Sequence, residues 1–330
     1  GSECAVGWQR AVGAAAAYET WVICEGSWCG PDIRRYLSEL GQVPGLHFEF
    51  VAKGPLLSAL GRTPGLYYLA YNIWHRRALA AARLLHAQKP FSLAHQATFC
   101  GYREPGYASQ LGVPFVWGPV GGTQNYPWRF LAEAGPLGAG REILRSLLTR
   151  AQLRFSGRVR RAVRKADALL AASSTIAHDL AGARGYAPPV LLETGVTTVT
   201  DDSGRTAPHD PFRILWCGEL RAHKALPLLL RALARLPGSC RFELLIAGSG
   251  PERGRWQRMA RRYGVDAHIR WLGRLTHAAT LRQYQWADAL AFTSLRDTSG
   301  TVVLEALAAG VPVICLDHQG VRDIVTDRCG

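Results

Sequence analysis

The stretch SLRDTSGTVVLEALAAGVPVI, from Ser294 to Ile314, decides how the second half of this chain folds. A polar loop that contains Gly300 leads into a run of apolar residues, and a strand-forming segment follows. The pattern predicts a helix that begins near Gly300 or Thr301. A helix start presents free backbone N–H groups and the positive end of the helix dipole, and a glycine lets an anion approach them. The sequence therefore predicts a phosphate-binding helix start.

Two acids accompany this helix. Asp297 stands just ahead of the helix start, and Glu305 lies about one and a quarter turns into the helix. Both carboxylates could accept hydrogen bonds from the hydroxyl groups on either side of a diphosphate, such as those of a sugar and a ribose. Alternatively, Asp297 caps the helix and Glu305 pairs with a nearby arginine. The spacing alone leaves both interpretations open.

Short apolar runs alternate with helical patterns along the whole chain, which is typical of parallel sheets covered by helices. The predicted fold class is therefore α/β. Strands are predicted at 20–24, 47–51, 92–97, 114–120, 168–173 and 189–195 in the first half, and at 212–218, 241–248, 268–273, 289–294 and 312–317 in the second.

The chain of 330 residues is long enough for two domains. A polar stretch, TTVTDDSGRTAPHD at 197–210, has turn-forming residues and no apolar periodicity, which is typical of a linker. We expect a first domain at 1–196, a linker at 197–211 and a second domain at 212–330. Two such domains would face each other across a cleft, with ligands beyond the carboxyl ends of the strands.

Two other loops of the second domain carry candidate ligand-binding residues. The turn GELRAHK places Arg221, His223 and Lys224 together, and these three groups could balance the charge of a diphosphate. The alternative is a solvated basic surface loop. The next loop, GSGPERG, contains Gly248 and Gly250 in a GxGxxxG spacing, which is only a weak signal for a dinucleotide site.

The net charge of the chain is +14. The basic residues are densest from Arg141 to Lys165, where nine arginines and lysines accompany one acid. Such a segment attracts phosphate groups of lipid, nucleic acid or substrate, or it is a solvated helix face. Only Phe155 interleaves with these cations, so a stacking platform for nucleic acid is not expected. Eight scattered cysteines without a CxxC pair indicate buried, reduced thiols in a cytosolic protein, and the opening GSECAVGWQR is not a signal peptide.

These features together resemble family 4 of the glycosyltransferases, which have the two-domain GT-B fold. The spacing from Asp297 to Glu305 resembles the E-x(7)-E signature of that family, and the loop that ends at Lys224 resembles its phosphate-binding loop. Segments 244–295 and 310–325 follow the pattern of the donor domain. In the first half, GSECAVGWQRA (1–11) and PFVWGPVGGTQ (114–124) resemble the glycine-rich turns of the family.

The resemblance implies a nucleotide-sugar donor held by domain 212–330 and an acceptor on the side of domain 1–196. Asp297, Lys224 and His95 would be catalytic, with Asp297 at the transferred sugar and Lys224 at the diphosphate. The family transfers with retention and usually needs no metal, so no cofactor is expected. Further donor-binding residues would be Glu305 (at the ribose), Arg221, Ser299, Gly300, Thr301, Gly248, Gly250 and Arg274, and the acceptor-side glycine loops would include Gly1, Ser2, Gly121 and Gly122.

The sequence departs from the family pattern at several positions. The first acid is an aspartate, Ser299 replaces an aromatic residue, and Glu219 stands where many members have a phosphate-binding arginine. Ala97 replaces the second histidine of a His-x-His, which leaves the role of His95 open between donor contact and structure. The strand before residue 1 and the segments after residue 330 of the family pattern are also missing, so an open sheet edge is expected.

The expected function is transfer of a sugar from a nucleotide-diphosphate sugar to a hydroxyl of a glycan or lipid-linked glycan, in polysaccharide or cell-envelope synthesis. The expected location is the cytoplasm, at the inner face of a membrane whose anionic lipids attract segment 141–165. No nucleic-acid partner is expected. A GT-B epimerase or phosphorylase and a non-catalytic nucleotide-sugar binder are the alternatives.

Overall fold

The structure, a computed structural model, describes residues 2–63, 65–196, 207–327 and 329. They form two compact units. The first contains the described residues up to 123 together with 151–172 and 176–194, and the second contains 124–150, 173–175 and those from 195 on. Segment 124–150 thus belongs to the second unit although it precedes residue 196. The predicted domain limits stay predictions, because residues 197–206 of the predicted linker lie outside the described residues.

The described residues of the first half form five strands, which follow the predicted apolar runs closely. They are β1 (Thr20–Glu25), β2 (Leu46–Val51), β3 (Ala94–Gln96), β4 (Phe115–Val120) and β5 (Ala168–Ala171). The helices are α1 (Ser2–Ala15), α2 (Gly30–Leu40), α3 (Pro55–Arg62), α4 (Tyr67–Gln88), α5 (Gly135–Phe155), α6 (Gly157–Lys165) and α7 (Ser174–Arg184).

The strands of the first unit form two parallel sheets, one of β1 and β2 and one in the order β3-β4-β5. The strand predicted at 189–195 is wrong, since the only pairing described there is a single bridge from Val190 to Ala171. Pro188 precedes this segment and Pro189 begins it, and a proline has no N–H group with which to extend a sheet.

The second half contains the remaining elements. The strands are β6 (Phe212–Cys217), β7 (Phe242–Ala247), β8 (Ile269–Gly273), β9 (Ala289–Phe292) and β10 (Val313–Cys315), and the helices are α8 (Leu226–Leu233), α9 (Arg253–Arg262), α10 (His277–Trp286) and α11 (Thr301–Ala308). All five predicted strands of this half are confirmed.

The sheet of the second unit is parallel, in the order β10-β9-β6-β7-β8. The chain adds β7 and β8 on one side of β6 and then crosses to add β9 and β10 on the other side. The loops that follow β6 and β9 therefore diverge from neighbouring strands at a topological switch point, where open α/β sheets bind ligands.

The core of the second unit lies on both faces of this sheet. Alternate residues of β6 point to opposite sides, so Ile214 and Trp216 pack with Trp256 on one face, whereas Leu215 packs with Leu290 on the other. Because both faces of the sheet are buried, its strands are apolar at successive positions and show no alternation of polar and apolar residues in the sequence.

Two further properties of the described residues bear on the sequence predictions. Among the cysteines whose burial the structure describes, Cys100 is buried, five are partly buried and Cys240 is exposed, so the prediction of buried thiols is wrong at Cys240. None of the described helices combines the length and apolar character that crossing a membrane requires.

Candidate functional site

The candidate site lies in the second unit, at the carboxyl ends of β6 and β9. The loop after β6 contains a short 3-10 turn that ends at Lys224. Two hydrogen bonds join this turn to the loop after β9: the Thr293 hydroxyl donates to the backbone oxygen of Lys224 at 2.7 Å, and the Leu295 N–H donates to that of His223 at 2.8 Å. The switch point thus brings residues some 70 positions apart into one site.

Lys224 and Asp297 form a direct ion pair at this junction. The ammonium group of Lys224 contacts Oδ2 of Asp297, and both side chains are about four-fifths buried. The ammonium group also lies 5.7 Å from the centre of the Phe292 ring. The structure therefore brings the two residues predicted to be catalytic in this unit into contact, and each balances the charge of the other; their catalytic roles stay predictions.

The helix start lies where the sequence predicts it. Helix α11 begins at Thr301, and Gly300 before it has a positive φ of 64°. A Cβ at Gly300 would lie only 3.0 Å from the Phe292 ring, so both backbone conformation and space require glycine. Asp297 lies three residues before the N-cap position and does not cap the helix, so the capping interpretation is wrong. Ser299 is buried beside this turn.

Glu305 is held by two partners within the unit. The Tyr284 hydroxyl donates to its Oε2 at 2.8 Å, and Nε2 of His277 lies 3.0 Å from its Oε1. Burial, followed by the nearby Cys217 and Glu305, raises the pKa of Tyr284, so this hydroxyl keeps its proton. The alternative of an arginine partner is wrong. Since His277 is largely exposed and Tyr284 is buried, Oε1 is the oxygen of Glu305 that an incoming hydroxyl can reach.

Arg221, His223 and Lys224, the three residues of the β6 loop predicted to be cationic, differ in charge and in the partners they contact. Arg221 pairs with Glu219, with 2.7 Å between Nε and Oε1, and both side chains are half-exposed. Burial, together with the positive charges of Arg296 and Lys224, lowers the pKa of His223 to about 3. His223 is therefore neutral near pH 7, and the prediction of a third cation at this loop is wrong.

The two glycines of the β7 loop have a packing explanation. A Cβ at Gly248 would lie 1.8 Å from the backbone oxygen of Gly218, and one at Gly250 would lie 2.5 Å from that of Leu220. Both glycines let the loops after β6 and β7 approach each other. Their contact with a donor stays a prediction, as does that of Arg274, which is exposed just after β8.

Sequence reasoning missed an ion pair that supports the loop of Asp297. Arg296 donates from Nε and Nη2 to the two carboxylate oxygens of Glu142 on α5, each at 3.0 Å. Nη2 of Arg296 also lies 3.4 Å from Nδ1 of His223. Glu142 is the single acid of a basic segment. Its burial marks it as a residue with a role, but burial cannot be deduced from the spacing of residues in the sequence.

The backbone of Asp297 is also held from outside its own loop. Its N–H donates to Oε1 of Gln319 at 3.0 Å, and its carbonyl accepts from Nε2 of Gln124 at 3.3 Å. The Gln319 amide donates in turn to the backbone oxygen of Asn125 at 2.8 Å. Segment 124–142 and Gln319 thus position the Asp297 loop, and none of these residues was predicted.

The predicted residues of the first unit are described by themselves. Nε2 of His95, in β3, donates to the backbone oxygen of Gly118 at 2.7 Å. Gly121 bridges to Gly101, and Gly122 has a φ of 87°. Ser2 begins α1, whereas Gly1 lies outside the described residues. The roles of His95, Ser2, Gly121 and Gly122 toward a donor or an acceptor stay predictions.

Part of the chain that carries the candidate site is similar to a known family. Residues 200–329 match the family described as "Glycosyl transferases group 1". The chain is 31% identical over 116 residues to an uncharacterized glycosyltransferase of Methanocaldococcus jannaschii, covering 35% of this chain and 30% of that protein. It is 28% identical over 170 residues to the glycogen synthase of Mycobacterium tuberculosis, covering 49% and 40%. The chain thus spans well under half the length of these relatives.

Solved structures resemble the chain over almost its whole length. The lipopolysaccharide outer core galactosyltransferase WaaB is similar with a TM-score of 0.59 and 15% identity, covering 93% of this chain and 82% of that one. Anabaena HepE in complex with UDP and glucose is similar with a TM-score of 0.58 and 18% identity, covering 99% and 80%. The chain therefore has the α/β fold of the GT-B glycosyltransferases, and its residues 200–329 match the glycosyl transferases group 1 family.

Proposed function

We propose that this chain is a retaining glycosyltransferase of family 4, which transfers a sugar from a nucleoside-diphosphate sugar to a hydroxyl group. One observation carries the proposal. Lys224 and Asp297 meet at the start of α11, inside the segment that matches the glycosyl transferases group 1 family. A cation, a helix start and a carboxylate in one place are what a diphosphate joined to a sugar requires.

The diphosphate would bind Lys224 and the first backbone N–H groups of α11. Since Lys224 is paired with Asp297 in this structure, the diphosphate replaces Asp297 as the partner of the ammonium group. Asp297 is then released toward the transferred sugar. Arg221 joins the diphosphate if it leaves Glu219, and this exchange is easy because their ion pair is exposed.

The ribose would bind Glu305. The Tyr284 hydroxyl fixes one carboxylate oxygen of Glu305, and the exposed His277 gives up the other to a ribose hydroxyl. A carboxylate held in this way is already oriented, so binding of the ribose costs little ordering of the side chain.

Catalysis would consist of stabilising the charges that separate when the sugar leaves the diphosphate. Lys224 and the helix start stabilise the negative charge on the leaving group, and the carboxylate of Asp297 stabilises the positive charge on the sugar. The acceptor hydroxyl attacks on the face that the diphosphate leaves and passes its proton to the departing phosphate oxygen, so the configuration at the anomeric carbon is retained. These roles are filled by side chains and backbone groups, so we propose that transfer needs no metal.

The proposed acceptor is a glycan or lipid-linked glycan in polysaccharide or cell-envelope synthesis, at the cytoplasmic face of a membrane. Two structural neighbours support this class by name: WaaB is a lipopolysaccharide outer core galactosyltransferase, and WaaG (TM-score 0.54, 16% identity) is involved in lipopolysaccharide biosynthesis. The basic segment Arg141–Lys165 would keep the protein near anionic lipid. Because HepE binds UDP and glucose, UDP is the first nucleotide to test.

The test is calorimetric titration of the folded chain of residues 1–330 with UDP, GDP, ADP and their sugars. One nucleotide is expected to bind, and Lys224→Ala and Glu305→Ala each weaken that binding by about tenfold or more, because each removes a charged hydrogen-bonding partner. Arg235→Ala is the control, because Arg235 is an exposed residue away from the site and its replacement should leave nucleotide binding unchanged. A folded chain that binds none of them contradicts the proposal. Binding followed by epimerised donor, or by phosphate-dependent cleavage, identifies an epimerase or a phosphorylase instead.

A further inference from the structure

Helix α4 begins with aromatic side chains that are partly exposed. Tyr67 and Tyr68 lie in its first turn and are 37% and 39% exposed. The centres of their rings lie 6.0 Å and 6.3 Å from that of Phe99. Phe99 also packs on Tyr71, one turn further along the helix, with 4.8 Å between the ring centres. We call these four residues the α4 aromatic cluster.

Two cations lie against this cluster. The ammonium group of Lys53 lies 4.4 Å from the centre of the Tyr71 ring, and the guanidinium carbon of Arg103 lies 5.8 Å from that of Tyr68. Nε of Arg103 also donates to the Tyr102 hydroxyl at 3.1 Å. The face of an aromatic ring attracts a cation but does not neutralise its charge. Aromatic faces and positive charge therefore lie side by side.

A second lysine of the first unit shows what is unusual about Lys53. Lys89 lies 5.0 Å from the centre of the Trp21 ring, and its ammonium group is also 3.6 Å from Oε1 of Glu19. Among the side chains that the structure describes, no carboxylate pairs with Lys53 in this way. The charge of Lys53 is thus left for another anion to balance.

The backbone of Lys53 is fixed on both sides. Its N–H donates to Oε1 of the buried Glu25 at 3.2 Å, and its carbonyl accepts from Nη1 of Arg77 at 2.8 Å. The other carboxylate oxygen of Glu25 accepts from the N–H of Trp28. Burial acts against charge on Glu25, but hydrogen bonds from backbone N–H groups lower its pKa, so it stays a carboxylate near pH 7. Lys53 is therefore positioned before a ligand arrives, which reduces the ordering cost of binding.

These residues lie where parallel strands of the first unit end. Trp28 follows β1, Lys53 follows β2, and Phe99 and Arg103 follow β3. Loops at the carboxyl ends of parallel strands are the usual ligand-binding part of α/β folds. Trp28 is 60% exposed and shares Glu25 with Lys53, so it adds another aromatic side chain to this part of the unit.

We propose that the α4 aromatic cluster, with Trp28, Lys53 and Arg103, binds a saccharide that carries a carboxylate or a phosphate. A sugar ring has C–H groups on its faces, which pack on aromatic rings, and hydroxyl groups at its rim. A carboxylate or phosphate on that ring pairs with Lys53 and Arg103. A neutral sugar leaves both cations unused, so the site selects a charged one.

A protein partner is less favoured by the same residues. Tyrosine, tryptophan and arginine are common in protein interfaces, but lysine is depleted there. Lys53 contacts Tyr71, which is the ring that joins Tyr67 to Phe99 within the cluster. A lysine held in the middle of an aromatic surface favours a small anionic ligand.

The inference rests on the proposed function for one point, namely that the saccharide is the acceptor of the transferred sugar. It narrows the proposed acceptor from any glycan to one with a negatively charged sugar. Binding of the saccharide needs no donor, and it can therefore be measured separately from nucleotide binding.

The test is titration of the chain of residues 1–330 with glucose, glucuronic acid and glucose 6-phosphate, followed by saturation-transfer NMR. These sugars differ only at carbon 6. We expect the two charged sugars to bind at least about tenfold more tightly than glucose, because each gains a charged hydrogen bond. Their order separates a site for carboxylates from a site for phosphates. UDP is present throughout, so that the proposed donor site is occupied.

Lys53→Ala tests the charge. It should lower the affinity for the charged sugars by about tenfold and leave the affinity for glucose unchanged. Lys89→Ala is the matched control, because it removes a lysine that also lies over an aromatic ring. Lys224→Ala, in the second unit, should leave the affinity for all three sugars unchanged.

Tyr67→Leu with Tyr68→Leu tests the aromatic surface. It should lower the affinity for all three sugars by about tenfold, because packing on the ring faces is lost whatever the charge of the sugar. Tyr18→Leu with Tyr186→Leu is the control. It removes two other exposed tyrosines of the first unit, one of which also lies against an arginine, at 4.8 Å from Arg184.

Several results would overturn the inference. They are equal affinity for charged and neutral sugars, equal losses in Lys53→Ala and Lys89→Ala, or sugar binding that is lost in Lys224→Ala and kept in Lys53→Ala. A dimer in sedimentation equilibrium that only the changes at Tyr67 and Tyr68 dissociate would assign the cluster to a second copy of the chain.

UDP titration of each variant keeps the two proposals apart. Unchanged binding of UDP by Lys53→Ala is the expected result. A chain that binds UDP and none of the sugars would overturn this inference alone. A chain that binds the charged sugars and no nucleotide would contradict the proposed function and leave the saccharide site in place.

Discussion

Asp297 and Glu305 are two carboxylates of one short segment, yet the structure holds them in different ways. Asp297 contacts a cation, and its loop is held by residues from distant parts of the chain. Glu305 lies on a helix and contacts a neutral hydroxyl and an exposed imidazole. The comparison teaches that two carboxylates of the same chemistry can differ in the partner that a ligand must displace. That partner is the ammonium group of Lys224 for Asp297 and the exposed imidazole of His277 for Glu305.

Asp297→Asn should have the largest effect on catalysis and should separate transfer from binding. The amide leaves Lys224 without a competing carboxylate, so the affinity for the nucleoside diphosphate stays equal or rises. Transfer falls by about 10²–10³-fold, because the positive charge on the sugar loses its stabilising carboxylate. Single-turnover transfer and calorimetry measure the two quantities. Loss of nucleotide affinity in this variant would contradict the comparison.

Glu142→Gln should disturb Asp297 and leave Glu305 unaffected. The change leaves Arg296 largely buried with a neutral partner, and we expect a loss of about 2 kcal/mol in the free energy of unfolding and a lower kcat. Urea unfolding and turnover are the measurements. Asp32→Asn, which breaks an exposed ion pair with Arg35, is the control with little expected effect. Unchanged stability and kcat would show that Gln319 and Gln124 suffice to hold the loop.

Glu305→Gln should act on the ribose half of the site. The amide oxygen can still accept from Tyr284, but the charged acceptor for a ribose hydroxyl is lost, so the affinity for the nucleotide falls by about tenfold. Inorganic pyrophosphate, which has no ribose, should bind equally to both proteins in calorimetry. His277→Ala is the matched control and should not lower the affinity for the nucleotide. Equal losses for nucleotide and pyrophosphate would place Glu305 at the diphosphate instead.

The smallest effect concerns pH, and it tests the Asp297 side of the comparison. His223 has a pKa near 3 in the folded chain and an ordinary value of 6.5, so the unfolded chain binds the proton first as the pH falls. The folded state therefore loses stability from about pH 6.5 downward, by up to about 1.4 kcal/mol per pH unit from this group. His223→Gln should flatten this dependence in urea unfolding, and the exposed His268→Gln should not. An identical pH dependence in His223→Gln would mean that His223 is solvated.

Several particular residues show how far sequence reasoning reached. The strands of the second unit and the start of α11 at Thr301 were predictable, because apolar runs, Gly300 and helical spacing act over a few neighbouring residues. The strand at 189–195 was wrong, since apolar character does not ensure a partner strand. The role of Glu142 could not be predicted, because a lone acid in a basic helix looks like a solvated residue until its partner is known.

The sequence by itself determined the α/β class, the positions of most strands and the helix start that Asp297 and Glu305 accompany. These follow from local periodicity and from residue types that only certain backbone conformations accept. Tertiary structure alone decided that Lys224 faces Asp297, that His223 is neutral and that Lys53 lies over the ring of Tyr71. Burial and charge pairing join residues distant in the chain, and the crossing of the chain at β6 and β9 sets which of them meet.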